Sequence, residues 1–428
     1  MIKIEFRTAL LMLIIGAALP SLARAQIMPA TTPEIFKQFS EHVVKIEVVE
    51  TGSGAKAAIG TGFYASAAGH VVTNYHVVSK LIHTPDRYRI DVIDSLSEAA
   101  QATVLGVDVV YDLAVLRTQR RPRSHLAPET GTVAQGTRLY SLGYPRDLGL
   151  TIVEGTYNGL LQHTLYPKVH FTGSLNPGMS GGPTLNQAGR VVGVNVATEG
   201  EQISFLVPAA RVSALIELTA KTDKPPAANV FLAEVGRQIH ANQARYLAGM
   251  FSKTTPSIAL GPYSLPTQPA DFFRCWADAL RRKELPYAAV THDCSTDDYI
   301  FVSSEQSSGI VRFYHQMLST EALNPPQFYT LYSGQFQAGN TALFGNEEEV
   351  TPFRCQTRNV RTDTGKLRAV LCGRQYVKLP GLYDAVFRAA TIGARNVGLV
   401  TTLSLSGASF DNIQTLTRRY MENIKWRR

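Results

Sequence analysis

Ser180 is a hydroxyl residue that could act as a nucleophile in this chain of 428 residues. It lies in NPGMSGGP, residues 176–183, whose glycines and prolines predict a tight, irregular loop. A serine hydroxyl attacks at neutral pH only when a base lies within hydrogen-bond reach and a third group orients that base. The loop alone is therefore not evidence of catalysis, and the partners must come from elsewhere in the chain.

Two residues fit the roles of base and orienting acid. His76 ends the segment GHVVTNYH, and Asp112 stands directly before the apolar run LAVL, where backbone N–H groups could hold a buried carboxylate. The chain order is then His76, Asp112, Ser180. His70, Asp94 and Asp108 are other candidates. We interpret His70 as a solvated residue of a hairpin turn and the two aspartates as surface carboxylates.

The elements expected to position these residues are short strands. Between residues 41 and 220, runs rich in Val, Ile, Thr and Tyr recur between turn residues, which favours a barrel or a sandwich. The stretch AARVSALIELTAK, residues 209–221, has helical spacing and is expected to close this region.

Four motifs occur in the order found in one family of enzymes: Gly60–Phe63 (GTGF), Thr73–Val78 (TNYHVV), Asp112–Leu116 (DLAVL) and Gly178–Pro183 (GMSGGP). In these motifs the chain resembles trypsin-fold serine proteases, closest to the bacterial Deg/HtrA branch. The resemblance covers about residues 45–210. It implies an all-β double β-barrel catalytic domain.

The resemblance also implies a role for each site residue. His76 would take the proton of Ser180 and pass it to the leaving amine, while Asp112 would fix the imidazole tautomer. The backbone N–H groups of Gly178 and Ser180 would form the oxyanion hole. No metal or cofactor is required.

Substrates are expected to bind extended along the strand edge Val196–Thr198. The specificity pocket is expected to have Ser174 at its base and Ala197, Thr198 and Phe205 along its walls. Because none of these residues is charged, a small or medium apolar side chain is expected before the scissile bond.

Two departures from the family pattern concern the site and the domain content. Val196 stands where relatives often carry a hydroxyl residue that supports the triad acid. The PDZ modules typical of the family are not recognisable after residue 220.

The first 25 residues are expected to be a secretory signal peptide. Lys3 and Arg7 precede an apolar run over residues 9–19, and Ala23-Arg24-Ala25 fits a signal-peptidase site before Gln26. An uncleaved anchor is the alternative, but a membrane span needs about 20 apolar residues. The mature protein is therefore expected in a bacterial periplasm or outside the cell, with no transmembrane segment.

The rest of the chain divides at KTDKPPAAN, residues 221–229, which is typical of a linker. A protease domain over 26–220 would then precede a separate α+β domain over 230–428, of unknown function.

All four cysteines lie in this second domain, and an even count in an exported protein indicates disulfides. Of the three pairings, we expect the local one, Cys275–Cys294 and Cys355–Cys372. A zinc site would need closer cysteine pairs and nearby histidines.

Charge suggests a further partner. The formal net charge is +8, but residues 26–228 hold 17 basic and 17 acidic side chains, whereas residues 350–428 hold 14 basic and 4 acidic ones.

We expect an exported serine endopeptidase that cleaves proteins or peptides through an acyl-enzyme. The alternative is a cell-envelope binding or scaffold protein whose basic C-terminal segment holds an anionic component, with the protease fold inactive or secondary. Nucleic acid is not an expected partner in that compartment.

Overall fold

The computed structural model describes residues 30–200, 202–220, 226–296, 298–337, 343–362 and 365–427. The expected signal peptide and residues 221–225 of the expected linker lie outside these ranges. The described chain begins with helix α1 (Thr32–Phe39), and a short 3-10 turn, Ser40–His42, leads into the first strand.

The first six strands close into an antiparallel barrel in the order β1-β2-β3-β6-β5-β4. Along β1 the side chains of Val44, Ile46 and Val48 are fully buried, as expected of residues that alternate toward a barrel interior. The strands are β1 (Val43–Glu50), β2 (Lys56–Tyr64), β3 (His70–Thr73), β4 (Tyr88–Ile93), β5 (Ala99–Asp108) and β6 (Leu113–Thr118), with helix α2 (Tyr75–His83) between β3 and β4.

The next six strands close into a second antiparallel barrel in the order β10-β11-β12-β9-β8-β7. Helix α3 (Ala209–Thr219) follows the last strand and packs back against β5 and β6 of the first barrel. The double barrel and the closing helix confirm the predicted catalytic fold. The strands are β7 (Arg138–Gly143), β8 (Thr151–Leu160), β9 (Val169–Phe171), β10 (Pro183–Leu185), β11 (Val191–Thr198) and β12 (Ser204–Pro208).

The C-terminal region is α+β, as predicted, and is built on a seven-stranded antiparallel sheet in the order β15-β16-β19-β23-β22-β21-β20. Helices α4 and α6 pack on one face of this sheet and α5 on the other. Its elements are α4 (Ala228–Phe251), β13 (Ser257–Leu260), β14 (Tyr263–Pro266), β15 (Arg274–Leu280), β16 (Ala288–Ser295), β17 (Ile300–Ser303), β18 (Gln306–Ser308), β19 (Val311–Ser319), α5 (Pro325–Gln337), β20 (Arg354–Arg361), β21 (Lys366–Gln375), β22 (Tyr383–Thr391), β23 (Val397–Ala408), α6 (Phe410–Glu422) and β24 (Lys425–Trp426).

Both predicted disulfides are present, one in each outer hairpin of the sheet. Cys275 and Cys294 are directly opposed on β15 and β16, and Cys355 and Cys372 are directly opposed on β20 and β21. The local pairing is therefore confirmed, because each bond joins two strands that are adjacent in sequence.

The C-terminal region packs directly on the first barrel. One hydrophobic cluster contains Tyr75 and Ile82 of α2 together with Phe231 and Ile239 of α4 and Val302 of β17. The core of the first barrel therefore continues into the C-terminal region. Within the described ranges, no helix has the length and apolar character needed to cross a membrane.

Candidate functional site

His76 lies in the first turn of α2, directly after the strand β3. Asn74 is the residue that precedes the helix, and its side-chain amide donates to the backbone oxygen of Asp112 over 2.7 Å. This bond ties the start of α2 to the turn between β5 and β6. This bond brings together His76 and Asp112, the residues predicted as base and acid, which are 36 positions apart in the chain.

Asp112 contacts His76 through both of its carboxylate oxygens. His76 Nδ1 lies 2.6 Å from Oδ2, and the backbone N–H of His76 donates to Oδ1 over 2.8 Å. A carboxylate accepts hydrogen bonds, so Nδ1 must carry the proton, and Nε2 is the acceptor when the ring is neutral. Asp112 has a φ of 55°, a left-handed conformation that aspartate adopts more readily than most residues.

The pKa of His76 is raised above its ordinary value. Burial acts to lower this pKa, but the charge of Asp112 and the hydrogen bond to its carboxylate outweigh burial. The imidazolium is therefore stabilised in this site, as a base that takes up a proton during a reaction requires.

Ser180 lies in the loop before β10, and this loop packs tightly on the first barrel. Its carbonyl oxygen accepts a bond of 2.8 Å from the N–H of Thr61. A Cβ built on the next residue, Gly181, would lie 2.2 Å from the carbonyl oxygen of Thr61 and 3.0 Å from the backbone nitrogen of Asn74. The loop therefore lies against Asn74, the residue that precedes α2. Among the described residues, no hydrogen bond joins the Ser180 hydroxyl to His76.

Gly178, predicted to contribute to the oxyanion hole, has a left-handed backbone conformation in a crowded position. Its φ is 98°, and a Cβ at this position would lie 2.4 Å from the carbonyl oxygen of Tyr144, so only glycine fits. The hydroxyl of Thr61 donates to the carbonyl of Gly178 over 2.7 Å and accepts from the N–H of Tyr144 over 3.0 Å. Within the described chain, the N–H groups of Gly178 and Ser180 have no hydrogen-bond acceptor, and their role in an oxyanion hole stays a prediction.

A cavity of about 800 Å³ lies beside this arrangement, between the two barrels. Among the predicted site residues, those that line it are His76, Asp112, Val196, Thr198 and Phe205. Ala197 is paired in register with Phe205 on the neighbouring strand. Gly178, Ser180 and Ser174 are not among the residues that line the cavity. Ser174 is exposed on the loop after β9, so its place at the base of a specificity pocket stays a prediction.

Several residues of the site were not identified from the sequence. Thr61 belongs to the GTGF motif, which signalled its presence but not its bond to Gly178. The ammonium of Lys168 lies 5.9 Å from the ring centroid of Phe205 and is paired with the carboxylate of Asp298 at 2.9 Å. A charge pair therefore lies beside the specificity pocket, whose walls were predicted to be uncharged. The cavity is also lined by Trp276, Tyr299 and Phe301 of the C-terminal region, which no sequence motif indicated.

In the described residues, ligand atoms of Cys275, His292 and Cys294 lie within 4.8 Å of one another. Both sulfurs are in the disulfide, so this group offers no thiolate to a metal.

Comparisons with known proteins identify the domain in which these residues lie. The family model of the trypsin-like peptidase domain matches residues 60–194. The chain is 30% identical over 239 residues to the mitochondrial serine protease HTRA2 of Bos taurus, which covers 53% of this chain and 48% of that protein. It is also 30% identical over 179 residues to a probable periplasmic serine endoprotease, DegP-like, of Chlamydia pneumoniae, covering 39% of this chain and 36% of that protein.

The chain thus spans about half or less of the length of these relatives. A solved serine endoprotease from Yersinia pestis aligns with a TM-score of 0.38 at 24% identity, covering 46% of this chain and 69% of that one.

Proposed function

We propose that this chain, which carries a trypsin-like peptidase domain over residues 60–194, is a serine endopeptidase. The observation that carries the proposal is the pair of contacts between His76 and Asp112, together with the unpaired N–H groups of Gly178 and Ser180 among the described residues. Hydrolysis of a peptide bond by a serine uses a base with a fixed tautomer and backbone donors for the oxyanion. The proposal further requires that the Ser180 hydroxyl comes within hydrogen-bond reach of His76 Nε2 when substrate binds, since catalytic hydrogen bonds often tighten only in the complex.

In the proposed reaction, the Ser180 hydroxyl oxygen attacks the carbonyl carbon of the scissile bond while Nε2 of His76 takes the hydroxyl proton. The carbonyl oxygen becomes an oxyanion and accepts bonds from the N–H groups of Gly178 and Ser180. The C–N bond then breaks as the His76 imidazolium gives its proton to the leaving amine. Water, deprotonated by the same imidazole, releases the acyl group from Ser180.

Substrates are proteins or peptides bound in an extended conformation along Val196–Thr198 of β11. Phe205, Ala197 and Ser174 complete the proposed specificity pocket. Lys168 beside Phe205 is neutralised by Asp298, so an apolar side chain before the scissile bond remains the expected preference.

We further propose that the protein is exported and acts in a bacterial periplasm or outside the cell. The support comes from the sequence of residues 1–25 and from the description of the Chlamydia pneumoniae relative as periplasmic. In this proposal residues 26–220 are the catalytic domain, residues 221–229 the linker and residues 230–428 the C-terminal domain.

A second candidate function is binding of an anionic envelope component. It is favoured by the hairpin β20–β21, where Arg354, Arg358, Arg361, Lys366 and Arg368 are all exposed. Among the described residues these cations form no salt bridge with an acidic side chain. The chain could then act as an envelope-binding protein whose barrels only support the basic hairpin.

Replacing Ser180 by alanine separates the two functions. The Ser180→Ala variant should fold normally, judged by circular dichroism and melting temperature, and should lose both peptide hydrolysis and labelling by a fluorophosphonate. Fluorophosphonates react only with an activated serine, so labelling of the unmodified chain supports the endopeptidase. Absence of labelling in a folded wild-type protein, or labelling that persists in Ser180→Ala, would contradict the proposal.

A further inference from the structure

One segment of the C-terminal region crosses the cavity between the two barrels. The carboxylate of Asp298 accepts bonds from the Lys168 ammonium at 2.9 Å and from the Leu165 backbone N–H at 3.1 Å, both in the second barrel's β8–β9 loop. Four residues later, the carbonyl oxygen of Val302 accepts a bond of 2.9 Å from the Tyr75 hydroxyl on α2. Residues 298–302, here called the bridging segment, are therefore attached to both barrels.

The side chains between these two attachments face the cavity. Tyr299, Ile300 and Phe301 all line it, next to His76 and Asp112. The ring of Phe301 meets the imidazole of His76 edge to face, with 5.8 Å between the centroids. The bridging segment therefore contacts the proposed catalytic base directly.

The same cavity is bounded by β11, which supplies Val196 and Thr198. In the proposed function, the part of the substrate that precedes the scissile bond pairs with this strand edge. Those substrate residues must then occupy the space between β11 and the bridging segment. Their side chains alternate in direction along the extended backbone, so some of them point at Tyr299 and Phe301.

We propose that the bridging segment is a wall of the substrate-binding groove and that Tyr299 and Phe301 select apolar side chains on the residues that precede the specificity-pocket residue. The inference rests on the proposed function, because it takes the substrate path from it. The subsite is built by a region outside the residues 60–194 that match the peptidase family. It gives the C-terminal region a part in substrate choice.

The dimensions of the site indicate that the bridging segment borders the groove and does not fill it. The cavity that the bridging segment lines has a volume of about 800 Å³, which is within the usual range of ligand sites. Tyr299 is 59% exposed, so its ring offers aromatic surface that a substrate side chain can cover. Gaining or losing an apolar group in such a hydrophobic subsite changes kcat/KM by about 10- to 200-fold.

The test compares two peptides with the same residue before the scissile bond and either two leucines or two glycines preceding it. The wild-type protein should prefer the leucine peptide in kcat/KM, and Tyr299→Ala and Phe301→Ala should each reduce that preference about tenfold. Tyr299 is exposed, so its variant should fold even if Phe301→Ala does not. Tyr329→Ala is the matched control, because Tyr329 is an aromatic residue on α5 with 51% exposure that does not line the cavity.

Binding of the same peptides to Ser180→Ala, with and without Tyr299→Ala, gives a readout that needs no turnover. An unchanged ratio of affinities for the two peptides would overturn the inference, whether or not the protein hydrolyses them. Faster hydrolysis of both peptides by the variants would also overturn it, because the bridging segment would then block the groove. Failure of the proposed function is recognised separately, as absent fluorophosphonate labelling of the wild-type protein.

Discussion

The carboxylate of Asp112 receives two hydrogen bonds from one residue, and both restrain the same imidazole. One comes from the ring of His76 and the other from its backbone N–H in the first turn of α2. An acidic group at this end of a helix is further stabilised by the helix dipole. Val196 has no hydroxyl to offer, so the orientation of this carboxylate depends on the start of α2.

The raised pKa of His76 predicts how the proposed activity depends on pH. His76 must be neutral to accept the Ser180 proton, so kcat/KM should be low in acid and rise as the imidazolium loses its proton. Since Asp112 holds this pKa above the ordinary value of 6.5, the midpoint of the rise should lie above pH 6.5. The measurement is kcat/KM for one uncharged peptide across the pH range.

Asp112→Asn is the control for this pH dependence. Removing the charge leaves burial as the main influence on His76, so its pKa and the midpoint should fall. Activity should also drop by about four orders of magnitude, as it does in serine proteases that lose this carboxylate. A wild-type midpoint at or below pH 6.5 would contradict the assignment of His76 as the base.

The residues of the candidate site were predictable to the extent that they lie in motifs. His76, Asp112, Ser180 and Gly178 each belong to a short segment whose residue types reflect a local requirement, such as the left-handed turn at Gly178. Thr61 was visible in its motif, but its bond to Gly178 joins residues 117 apart and depends on how the two barrels pack.

At the level of elements, the sequence predicted those strands, helices and hairpins that form between residues close together in the chain. The short strands between residues 41 and 220 indicated a barrel or a sandwich, and only the family resemblance predicted the double barrel. The stretch between Cys355 and Cys372 predicted a hairpin with its disulfide. The order of strands in the C-terminal sheet was not predictable, because β19 pairs with β23, although α5 and the strands β20 to β22 lie between them in the chain. The position of the bridging segment was not predictable either, because it depends on hydrogen bonds of Asp298 and Val302 to parts of the barrels that are distant in sequence.

The hairpin β20–β21 supports a prediction about anionic surfaces. Cations near such a surface contribute about 1 kcal/mol each, so Arg354→Gln/Arg358→Gln/Arg361→Gln should weaken binding to vesicles of anionic lipid about a hundredfold at low salt. Wild-type binding should fall steeply as salt is added, because the attraction is screened over about 8 Å at physiological ionic strength. Vesicle sedimentation over a salt series measures both effects.

The matched control removes the same number of exposed cations from the end of another hairpin. Arg281→Gln/Arg282→Gln/Lys283→Gln changes the turn between β15 and β16, where all three side chains are exposed. If both triple variants bind equally well, the cations of β20 have no docking role. Their charge would then serve to keep this outermost strand from pairing with other chains.

For the molecule as a whole, the position of α2 decides how far the two regions can act independently. The Tyr75 hydroxyl, next to His76 in the chain, donates to Val302 and lies 3.1 Å from His83 Nε2. His83 in turn lies 3.9 Å from the carboxylate of Glu349, which is paired with Lys378 at 2.9 Å. The helix that carries the proposed base is therefore fixed at both ends by the C-terminal region.

A protein shortened to residues 26–220 should consequently lose stability and activity together. The fully buried Tyr75 would lose its partner, and apolar side chains of α2 such as Ile82 would lose their cover from α4 and β17. Each large side chain brought back to water costs about 1.5–3 kcal/mol, against a total stability of about 5–15 kcal/mol for a typical domain. The melting temperature and the rate of fluorophosphonate labelling measure the two losses.

Tyr75→Phe in the full chain isolates one part of this effect. It removes the hydroxyl bond to Val302 and should lower the free energy of unfolding by about 1 kcal/mol while the ring stays packed. Labelling of Ser180 should then slow only moderately, and far less than in the shortened protein. If the shortened protein instead melts and is labelled like the full chain, the catalytic barrels are self-sufficient, and the contacts of α2 with Val302 and Glu349 contribute little to the site.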